Sequence, residues 1–236
     1  MPPSPALVCI AQAPIVKKAI VKETIVKEAT LAAPTRRALS SAGAGQTTSD
    51  RQRKTAGDRQ WEECHVSHDR RFVIHKHDAS QLHYDLRLRI GDALASWAVP
   101  KGLSTAANDK RLAIRVEDHP LDYADFEGVI PEGEYGAGTV MVWDRGRYTP
   151  LLDDDTASME EAREAGALKF TLDGEKLKGG YAMARTGTRD GKEQWVIFKL
   201  DDEYADARRK PTSTEPDSVK TGRSLEEIAA QEDKDA

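Results

Sequence analysis

Nine consecutive residues, Leu82 to Ile90, alternate without a break between apolar and polar side chains. Successive side chains of a strand point to opposite faces, so a period of two predicts a β-strand with one apolar face. The apolar face carries Leu82, Tyr84, Leu86, Leu88 and Ile90, and the polar face carries His83, Asp85, Arg87 and Arg89. A strand of this kind needs neighbours that bury its apolar face.

Similar signals continue along the chain. Further strand candidates lie at 71–77, 110–117, 139–143, 168–172, 181–185 and 194–200, with typical turn pairs at 91–92, 173–174 and 190–191. In 110–117 we expect Leu112, Ile114 and Val116 to form the apolar side. Helix is expected at 160–165 and at 224–230, where Ser224 and Glu227 match a capping box. A transient helix at 15–31 that binds a partner is the alternative to full disorder of that segment. Many short strands and little helix predict an all-β fold, either a sandwich or a barrel.

The two ends of the chain differ from the middle in composition. A length of 236 residues favours one domain or two small ones. Residues 1–60 hold ten Lys and Arg against four Asp and Glu, although the whole chain has a net charge of -5. An Ile-Val-Lys repeat begins at 15, 20 and 25, and this five-residue period does not follow one helix face. We expect a disordered basic tail at 1–60, a β domain at 61–206 and a polar C-terminal tail with a short helix at 207–236.

Several classes of protein are excluded by composition. No apolar run approaches the roughly 20 residues that a membrane helix needs, and the N-terminus lacks a secretory signal pattern. The two cysteines, Cys9 and Cys64, are too few for a disulfide framework or a cysteine-based zinc site. We therefore expect a cytoplasmic protein that does not act at a membrane.

A candidate metal site lies in the histidine-rich part of the chain. All six histidines fall between 65 and 119. His83 and Asp85 project from one face of the predicted strand, about 7 Å apart along its backbone. His77 ends the preceding strand and can reach the same point across a short turn. Two imidazoles and one carboxylate with open positions are typical of a catalytic metal site, and this ligand set suits manganese, zinc or iron.

The same residues also fit a simpler interpretation, in which they form the solvent-exposed face of an antiparallel sheet. His65, His68 and His75 are expected to be solvent-exposed or to support the ligands. The nearby cations favour the metal site, because Arg87 shares the face of His83 and Asp85. Lys101 lies in a turn and Arg111 begins the next strand. Arginine, lysine and a divalent metal together suit a phosphate substrate, to which His119 can donate a hydrogen bond or a proton.

Several ordered motifs resemble the 3'-phosphoesterase domain of bacterial DNA ligase D. They cover roughly 71–230 and include Phe72-Val73-Ile74-His75-Lys76-His77-Asp78-Ala79-Ser80-Gln81-Leu82-His83-Tyr84-Asp85-Leu86-Arg87, Ser96-Trp97-Ala98-Val99-Pro100-Lys101-Gly102, Val116-Glu117-Asp118-His119-Pro120-Leu121-Asp122-Tyr123, Ile130-Pro131-Glu132-Gly133-Glu134-Tyr135-Gly136 and Trp143-Asp144-Arg145-Gly146.

This resemblance implies a compact β-barrel of short, mostly antiparallel strands with a polar interior that holds the site. It implies a manganese-dependent enzyme that removes 3'-terminal ribonucleosides and 3'-phosphates from DNA primer-template ends in non-homologous end joining. His77, His83 and Asp85 would hold the divalent metal. Arg87, Lys101, Arg111 and His119 would bind the phosphate, and Arg87, His119 and Tyr123 would act in catalysis. The resemblance further implies a nucleoid-associated monomer, whose candidate partners are a repair ligase, a polymerase and an end-binding protein.

The chain departs from the family pattern at three places. Many members carry Gln where this chain has His75. Residues 58–70 do not match the Arg-Asp-Phe and Thr-Pro-Glu-Pro segment that supports the phosphomonoesterase step in the family. The resemblance therefore implies the phosphodiesterase step more directly than the phosphomonoesterase step. With no polymerase or ligase region in these 236 residues, we expect a stand-alone form.

Two other functions fit parts of the sequence. A non-catalytic DNA-end-binding or scaffold module of the same repair pathway would account for the basic tail and the single domain. A ribonuclease that acts on RNA would use the same metal and phosphate residues. A preference for single-stranded RNA over a DNA primer-template would indicate the ribonuclease. DNA binding without turnover would indicate the non-catalytic module.

Overall fold

The computed structural model describes residues 70–235, apart from 108, 154, 155 and 157. The predicted tail at 1–60 and the predicted start of the β domain at 61 lie outside these residues, as do His65 and His68. The strands are β1 (Arg71–Asp78), β2 (Leu82–Ile90), β3 (Ala93–Val99), β4 (Lys110–His119), β5 (Gly128–Ile130), β6 (Gly138–Pro150), β7 (Ala167–Gly174), β8 (Lys178–Arg189) and β9 (Lys192–Lys199). The helices are a 3-10 helix (Leu121–Asp125), α1 (Met159–Ala165), α2 (Pro211–Thr214) and α3 (Leu225–Asp235). None of the helices in the described residues is long and apolar enough to cross a membrane.

Eight of these strands close into an antiparallel barrel. Their order around the barrel is β1-β2-β3-β4-β9-β8-β7-β6, and β6 pairs again with β1. β6 is long enough to pair with β1 over its first part and with β7 over its last five residues. β5 is added outside the ring, where it pairs only with the beginning of β6. The predicted all-β barrel is confirmed.

Most of the barrel interior is apolar, and the candidate site lies on the outer face, which corrects the expectation that a polar interior holds the site. Tyr84, Leu86 and Leu88 of β2 belong to the buried core, together with Trp97 and Trp195 from β3 and β9. An eight-stranded barrel encloses just enough room for packed side chains, and unpaired polar groups placed there would be costly. Since side chains alternate along a strand, the polar residues of β2 lie on the outer face of the barrel.

The expected apolar side of β4 is also wrong. Leu112 is 45% exposed, whereas Ala113, on the other face of the strand, is fully buried in the core. Ala113 lies directly opposite Trp195, and the rings of Trp195 and Trp97 meet edge to face at 5.8 Å. Because these two indoles fill the interior at this level, only a small side chain fits there, and Leu112 is turned outward.

The polar segment after residue 206 packs against the barrel. The Val219 amide donates to the Val142 carbonyl at 3.0 Å, and the Trp143 indole donates to the Glu215 carbonyl at 2.8 Å. Ile228 of α3 is 1% exposed and belongs to the apolar core. The amides of Ser224 and Glu227 each bond to the other side chain, so the predicted capping box is present at the start of α3.

A buried carboxylate joins this C-terminal segment to the barrel. The Glu127 side chain is 1% exposed and accepts hydrogen bonds from Ser218, Thr221 and Arg223, as well as from the Val142 amide. Burial alone would raise the pKa of Glu127, but these hydrogen bonds lower it below its usual value. We call Glu127 and its three side-chain partners the C-terminal clasp.

We expect Glu127→Gln to destabilise the protein by about 1.5–3 kcal/mol, because an amide presents a donor to groups that are themselves donors. The measurement is urea unfolding at pH 7, with Glu132→Gln at an exposed position as the control. Since the folded-state pKa of Glu127 is lowered, its stabilisation is present above the usual carboxyl range near about pH 4.3 and is lost as pH falls. Equal stability of the two variants at pH 7 would contradict the role of the clasp.

Candidate functional site

Strand register brings the predicted metal ligands together. On β1 and β2, His77 lies directly opposite His83, and His75 lies directly opposite Asp85. All four side chains alternate with core residues such as Ile74 and Leu86, so they project from the outer face of the barrel. The hairpin between the two strands therefore assembles the cluster, and no distant part of the chain is needed.

The ligand atoms of His77, His83 and Asp85 lie within 4.8 Å of one another. Asp85 places Oδ2 3.9 Å from His77 Nδ1 and Oδ1 3.6 Å from His83 Nε2. Two ligands each about 2.1 Å from one ion are at most about 4.2 Å apart, so both separations fit a shared ion. On the other side of the ring, His83 Nδ1 lies 2.8 Å from the Gln81 carbonyl oxygen. A carbonyl only accepts, so Nδ1 carries the proton and leaves the Nε2 lone pair for the metal.

The charge state of His77 also suits a metal ligand. Burial, followed by the neighbouring His83, lowers the pKa of His77 below its usual value, although Asp85 opposes this change. A neutral imidazole offers its lone pair to a cation without first losing a proton. The three residues fit a divalent metal, and their nitrogen and oxygen atoms do not select one element among manganese, zinc and iron.

Arg87 is the centre of the polar network beside the metal cluster. Its side chain is 4% exposed, and NH2 donates to Asp85 Oδ2 at 2.9 Å. Nε donates to His75 Nδ1 at 3.0 Å, and NH1 donates to Ser96 Oγ at 2.8 Å. NH1 also lies 2.8 Å from His119 Nδ1. The guanidinium is thus fixed by residues from β1, β2, β3 and β4.

A bulge between β3 and β4 brings His119 to this network. Ser96 pairs with Val116, so a regular ladder would place Asp118 opposite Leu94, but His119 takes that position. One extra residue in a strand transfers the side chains beyond it to the other face. The bulge therefore turns His119 toward Arg87 on the outer face.

The hydrogen bond with Arg87 determines the tautomer of His119. Arginine can only donate, so His119 Nδ1 accepts and the ring proton resides on Nε2. The Glu117 carbonyl oxygen is 3.0 Å from the same Nδ1, and it could be satisfied only if that nitrogen were protonated. Burial and then the positive charge of Arg87 lower the pKa of His119, which favours the neutral ring. His119 therefore presents an Nε2 donor.

Tyr123 covers the network from the 3-10 helix. Its ring lies 4.8 Å from the His119 ring and 5.5 Å from the His75 ring, and the Arg87 guanidinium carbon is 5.1 Å from its centroid. Phe126 stacks on it at 5.0 Å. Burial raises the pKa of Tyr123, so its hydroxyl is a neutral donor at pH 7. The structure thus brings together His77, His83, Asp85, Arg87, His119 and Tyr123.

Lys101 and Arg111 are not joined to this group. Lys101 is exposed in the turn after β3, and Arg111 pairs with Asp109 at 2.8 Å. Because Arg111 is two residues from the buried Ala113 on β4, both side chains lie on the same side of the strand. Within the described part of the chain, no hydrogen bond or ion pair connects either cation to the metal cluster. Their phosphate-binding role remains a prediction.

Sequence reasoning left the role of His75 open and did not identify Ser96. His75 is fully buried, and its Nδ1 accepts a hydrogen bond from Arg87 Nε, which agrees with the supporting role and excludes solvent exposure. Its place on the face of His77 was readable from the alternation of β1. Ser96 is also fully buried, and its hydroxyl accepts from Arg87 and donates to the Leu94 carbonyl at 2.8 Å. Only the pairing of β2 with β3 reveals it.

Comparison with known proteins identifies the class of domain that carries this arrangement. Residues 75–185, just under half of the chain, match the family described as the DNA Ligase D 3'-phosphoesterase domain. The match contains all six residues that the structure brings together.

The relatives are much longer proteins. The chain is 52% identical over 157 residues to the multifunctional non-homologous end joining protein LigD of Pseudomonas aeruginosa, covering 66% of this chain and 18% of that protein. It is 43% identical over 129 residues to the multifunctional non-homologous end joining DNA repair protein LigD of Mycobacterium tuberculosis, covering 55% and 16%. The Mycolicibacterium smegmatis LigD is 41% identical over 134 residues, covering 56% and 17%. The chain spans less than a fifth of the length of these relatives.

We expect the stability of the protein to fall as pH drops below about 6.5, the usual pKa of histidine. Burial, followed by the charge of Arg87, holds the pKa of His75 well below that value. The unfolded chain therefore binds a proton that the folded chain does not, and unfolding is favoured by acid. Free energies of unfolding should be measured between pH 5 and 7.5.

The matched variant is His75→Gln, whose amide oxygen can still accept from Arg87 but does not titrate. Its stability should vary less steeply with pH than that of the wild type, by up to about 1.4 kcal/mol per pH unit. Parallel pH profiles for the two proteins would show that His75 is not held neutral by the fold.

Proposed function

We propose that this chain is a metal-dependent 3'-phosphoesterase that heals DNA 3' ends in non-homologous end joining. It would remove a 3'-terminal ribonucleoside from a primer-template end and then remove the remaining 3'-phosphate. The observation that carries the proposal is the juxtaposition of a three-ligand metal cluster with Arg87 and His119 on one outer face of the barrel. The relatives' names, which specify non-homologous end joining, support the pathway.

His77, His83 and Asp85 would hold the metal, for which we propose manganese. When bound there, the metal would neutralise charge on the phosphate oxygens and polarise the phosphoryl group. Arg87 is already oriented by its four partners, so it can stabilise developing negative charge without reorganising. In the diesterase step, water forms a new bond to phosphorus as the bond to the 5' oxygen of the terminal ribonucleoside breaks; the nucleoside leaves with a 5'-OH and the strand keeps a 3'-phosphate. In the monoesterase step, a second water bonds to phosphorus, inorganic phosphate leaves and a 3'-OH remains.

The state of His119 supports direct phosphate contact over general acid catalysis. A neutral imidazole with its proton on Nε2 is a good hydrogen-bond donor and a poor acid. Tyr123 lies against the same ring and would fix its orientation. We retain the prediction that Lys101 and Arg111 bind the scissile phosphate, although neither contacts the metal cluster in the described residues. Candidate partners are a repair ligase, a polymerase or an end-binding protein.

The proposal is tested with a 5'-labelled primer-template that ends in one 3'-ribonucleotide, incubated with the protein and Mn²⁺. We expect a product one nucleoside shorter that carries a 3'-phosphate, followed by conversion to 3'-OH. EDTA and His83→Ala should abolish both steps. Product in the presence of EDTA would contradict a metal-dependent reaction.

The same assay separates the competing functions. If the protein binds the DNA but forms no product with any divalent metal, it is a DNA-end-binding module. If single-stranded RNA is cleaved faster than the primer-template, the protein is a ribonuclease. Product that stops at the 3'-phosphate would limit the activity to the diesterase step.

We expect His119→Ala to lower kcat by about a hundredfold, the usual cost of removing one donor to a developing charge. The affinity for a DNA end should change by less than about threefold, because most binding energy comes from the phosphate backbone. Single-turnover kinetics and fluorescence anisotropy measure the two quantities. His119→Asn, which keeps a side-chain donor, is the matched variant and should retain more activity than alanine.

A further inference from the structure

The turn that joins β5 to β6 presents an exposed tyrosine beside the metal cluster. Tyr135 is 75% exposed, the highest value among the exposed large hydrophobic side chains in the described residues. Within that part of the chain, no hydrogen bond or ring contact holds its side chain. A single exposed apolar residue is ordinary on a protein surface, so the position of Tyr135 decides whether it has a role.

Strand register brings this turn to the end of β1, where His77 lies. The strand before the turn, Gly128–Ile130, pairs with the start of β6, and Val140 of β6 pairs with His77. A Cβ atom added to Gly136 would lie 3.9 Å from His77 Cε1. Because adjacent Cα atoms are about 3.8 Å apart, the Cα atom of Tyr135 lies within about 9 Å of the His77 ring. The turn is therefore one edge of the metal cluster.

The Tyr135 side chain also lies within electrostatic range of Arg87. Burial lowers the pKa of Arg87, and the charge of Asp85 opposes this change most; Tyr123 and Tyr135 oppose it further. Tyr123 covers Arg87 from the 3-10 helix, whereas Tyr135 belongs to the turn beside His77. A phosphate at Arg87 would therefore have an exposed aromatic ring nearby, on the side of the metal cluster.

The backbone of the turn is ordered although the tyrosine side chain is exposed. The Glu134 amide donates to the Pro131 carbonyl at 3.3 Å, and the Ala137 amide donates to the Glu134 carbonyl at 3.2 Å. Gly136 follows Tyr135 with a φ of +80°, in the left-handed region that favours glycine. These two turns fix where the Tyr135 backbone lies, so its ring is presented at a defined place.

Two carboxylates restrict which part of a nucleic-acid strand could lie against this turn. Glu132 and Glu134 are exposed, and no ion pair in the described residues neutralises either of them. Like charges repel, so a backbone phosphate is disfavoured beside them. An internal nucleotide has a phosphate on both sides, whereas the terminal nucleoside has none after it. The terminal base of a paired primer also has one face that no neighbouring base covers.

We propose that Tyr135 stacks on the base of the terminal nucleoside, the group that leaves in the diesterase step. Every base has a π-face, so this contact would hold any of the four terminal nucleosides. The proposal rests on the proposed function, because it takes the phosphate at Arg87 as the reacting one. Tyr135 thus contributes to the removal of a nucleoside and not to the removal of a 3'-phosphate, beyond which no base is left.

The first test compares the two steps of the reaction in Tyr135→Ala. One substrate is a primer-template that ends in a 3'-ribonucleotide, and the other is the same primer ending in a 3'-phosphate. On the first, we expect kcat/KM to fall about tenfold, mostly through KM, a usual effect of losing one stacking contact. On the second, kcat/KM should stay within twofold of the wild type.

Two further variants serve as matched controls. Tyr135→Phe keeps the ring and removes the hydroxyl, so its kcat/KM should stay within twofold of the wild type on both substrates. Tyr204→Ala removes another tyrosine, 47% exposed in the segment after β9, and should have no effect on either substrate. Since both tyrosines are exposed, thermal unfolding midpoints of all three variants should match that of the wild type.

A double-mutant cycle on binding tests the contact without turnover. Fluorescence anisotropy in EDTA, which prevents metal-dependent turnover, compares primer-templates whose terminal nucleoside either carries its base or is abasic. We expect the wild type to bind the abasic end about tenfold more weakly, and Tyr135→Ala to bind both ends equally. If the wild type turns over neither substrate, the proposed function fails, yet this cycle still decides the role of Tyr135.

Three results would overturn the proposal. Equal discrimination against the abasic end by the wild type and Tyr135→Ala would show that the ring does not contact the base. An equal loss of activity on both substrates would show that Tyr135 supports the metal cluster. A loss in Tyr135→Phe as large as that in Tyr135→Ala would assign the effect to the hydroxyl and not to stacking.

Discussion

The buried guanidinium of Arg87 is the interaction on which the candidate site depends. A buried charge is tolerated only when it is paired and its hydrogen bonds are made. Asp85 supplies the opposite charge, and His75, Ser96 and His119 accept the remaining bonds named above. These partners come from four neighbouring strands, so the register of the barrel and the bulge before His119 must both be correct. Burial lowers the pKa of Arg87, but its usual value is so high that the side chain stays charged.

The division between an apolar interior and a polar outer face explains how one strand serves both stability and chemistry. Inward side chains of β2 fill the barrel, and its outward side chains supply a metal ligand, a carboxylate and the central cation. The outer face is then partly covered by the 3-10 helix that carries Tyr123. Lys220 donates to the Asp125 carbonyl at 2.6 Å, and the clasp holds Glu127. The C-terminal segment thus supports the part of the chain that covers the outer face beside the metal cluster.

The sequence predicts the part of the site that depends on local alternation. His83, Asp85 and Arg87 share one face because they are two residues apart, and His77 follows from a short hairpin. The alternation also placed the apolar face of β2 in the core, and only the polar interior implied by the family resemblance put the site on the wrong side of the barrel. Strand β3 was missed since Leu94, Ala95 and Trp97 are all buried, which removes the period-two signal.

Other features depend on long-range contacts that leave no pattern in the sequence. The approach of Ser96 and His119 to Arg87 requires the register of two strand pairs, β2–β3 and β3–β4, and one bulge. The packing of the C-terminal segment uses backbone carbonyls, such as that of Glu215, and every residue type supplies these. On β4, the sequence pattern predicts that Leu112 is a core residue, but the indoles of Trp97 and Trp195 on the neighbouring strands occupy that space.

Electron spin echo spectroscopy of the Mn²⁺-loaded protein would reveal whether His77 and His83 bind the metal, because it detects nitrogen atoms bound to Mn²⁺. We expect modulation from two imidazole nitrogens in the wild type and from one in His83→Ala, with two retained in His75→Gln. Absence of nitrogen modulation from a bound Mn²⁺, or an unchanged signal in His83→Ala, would contradict a metal centre formed by His77, His83 and Asp85.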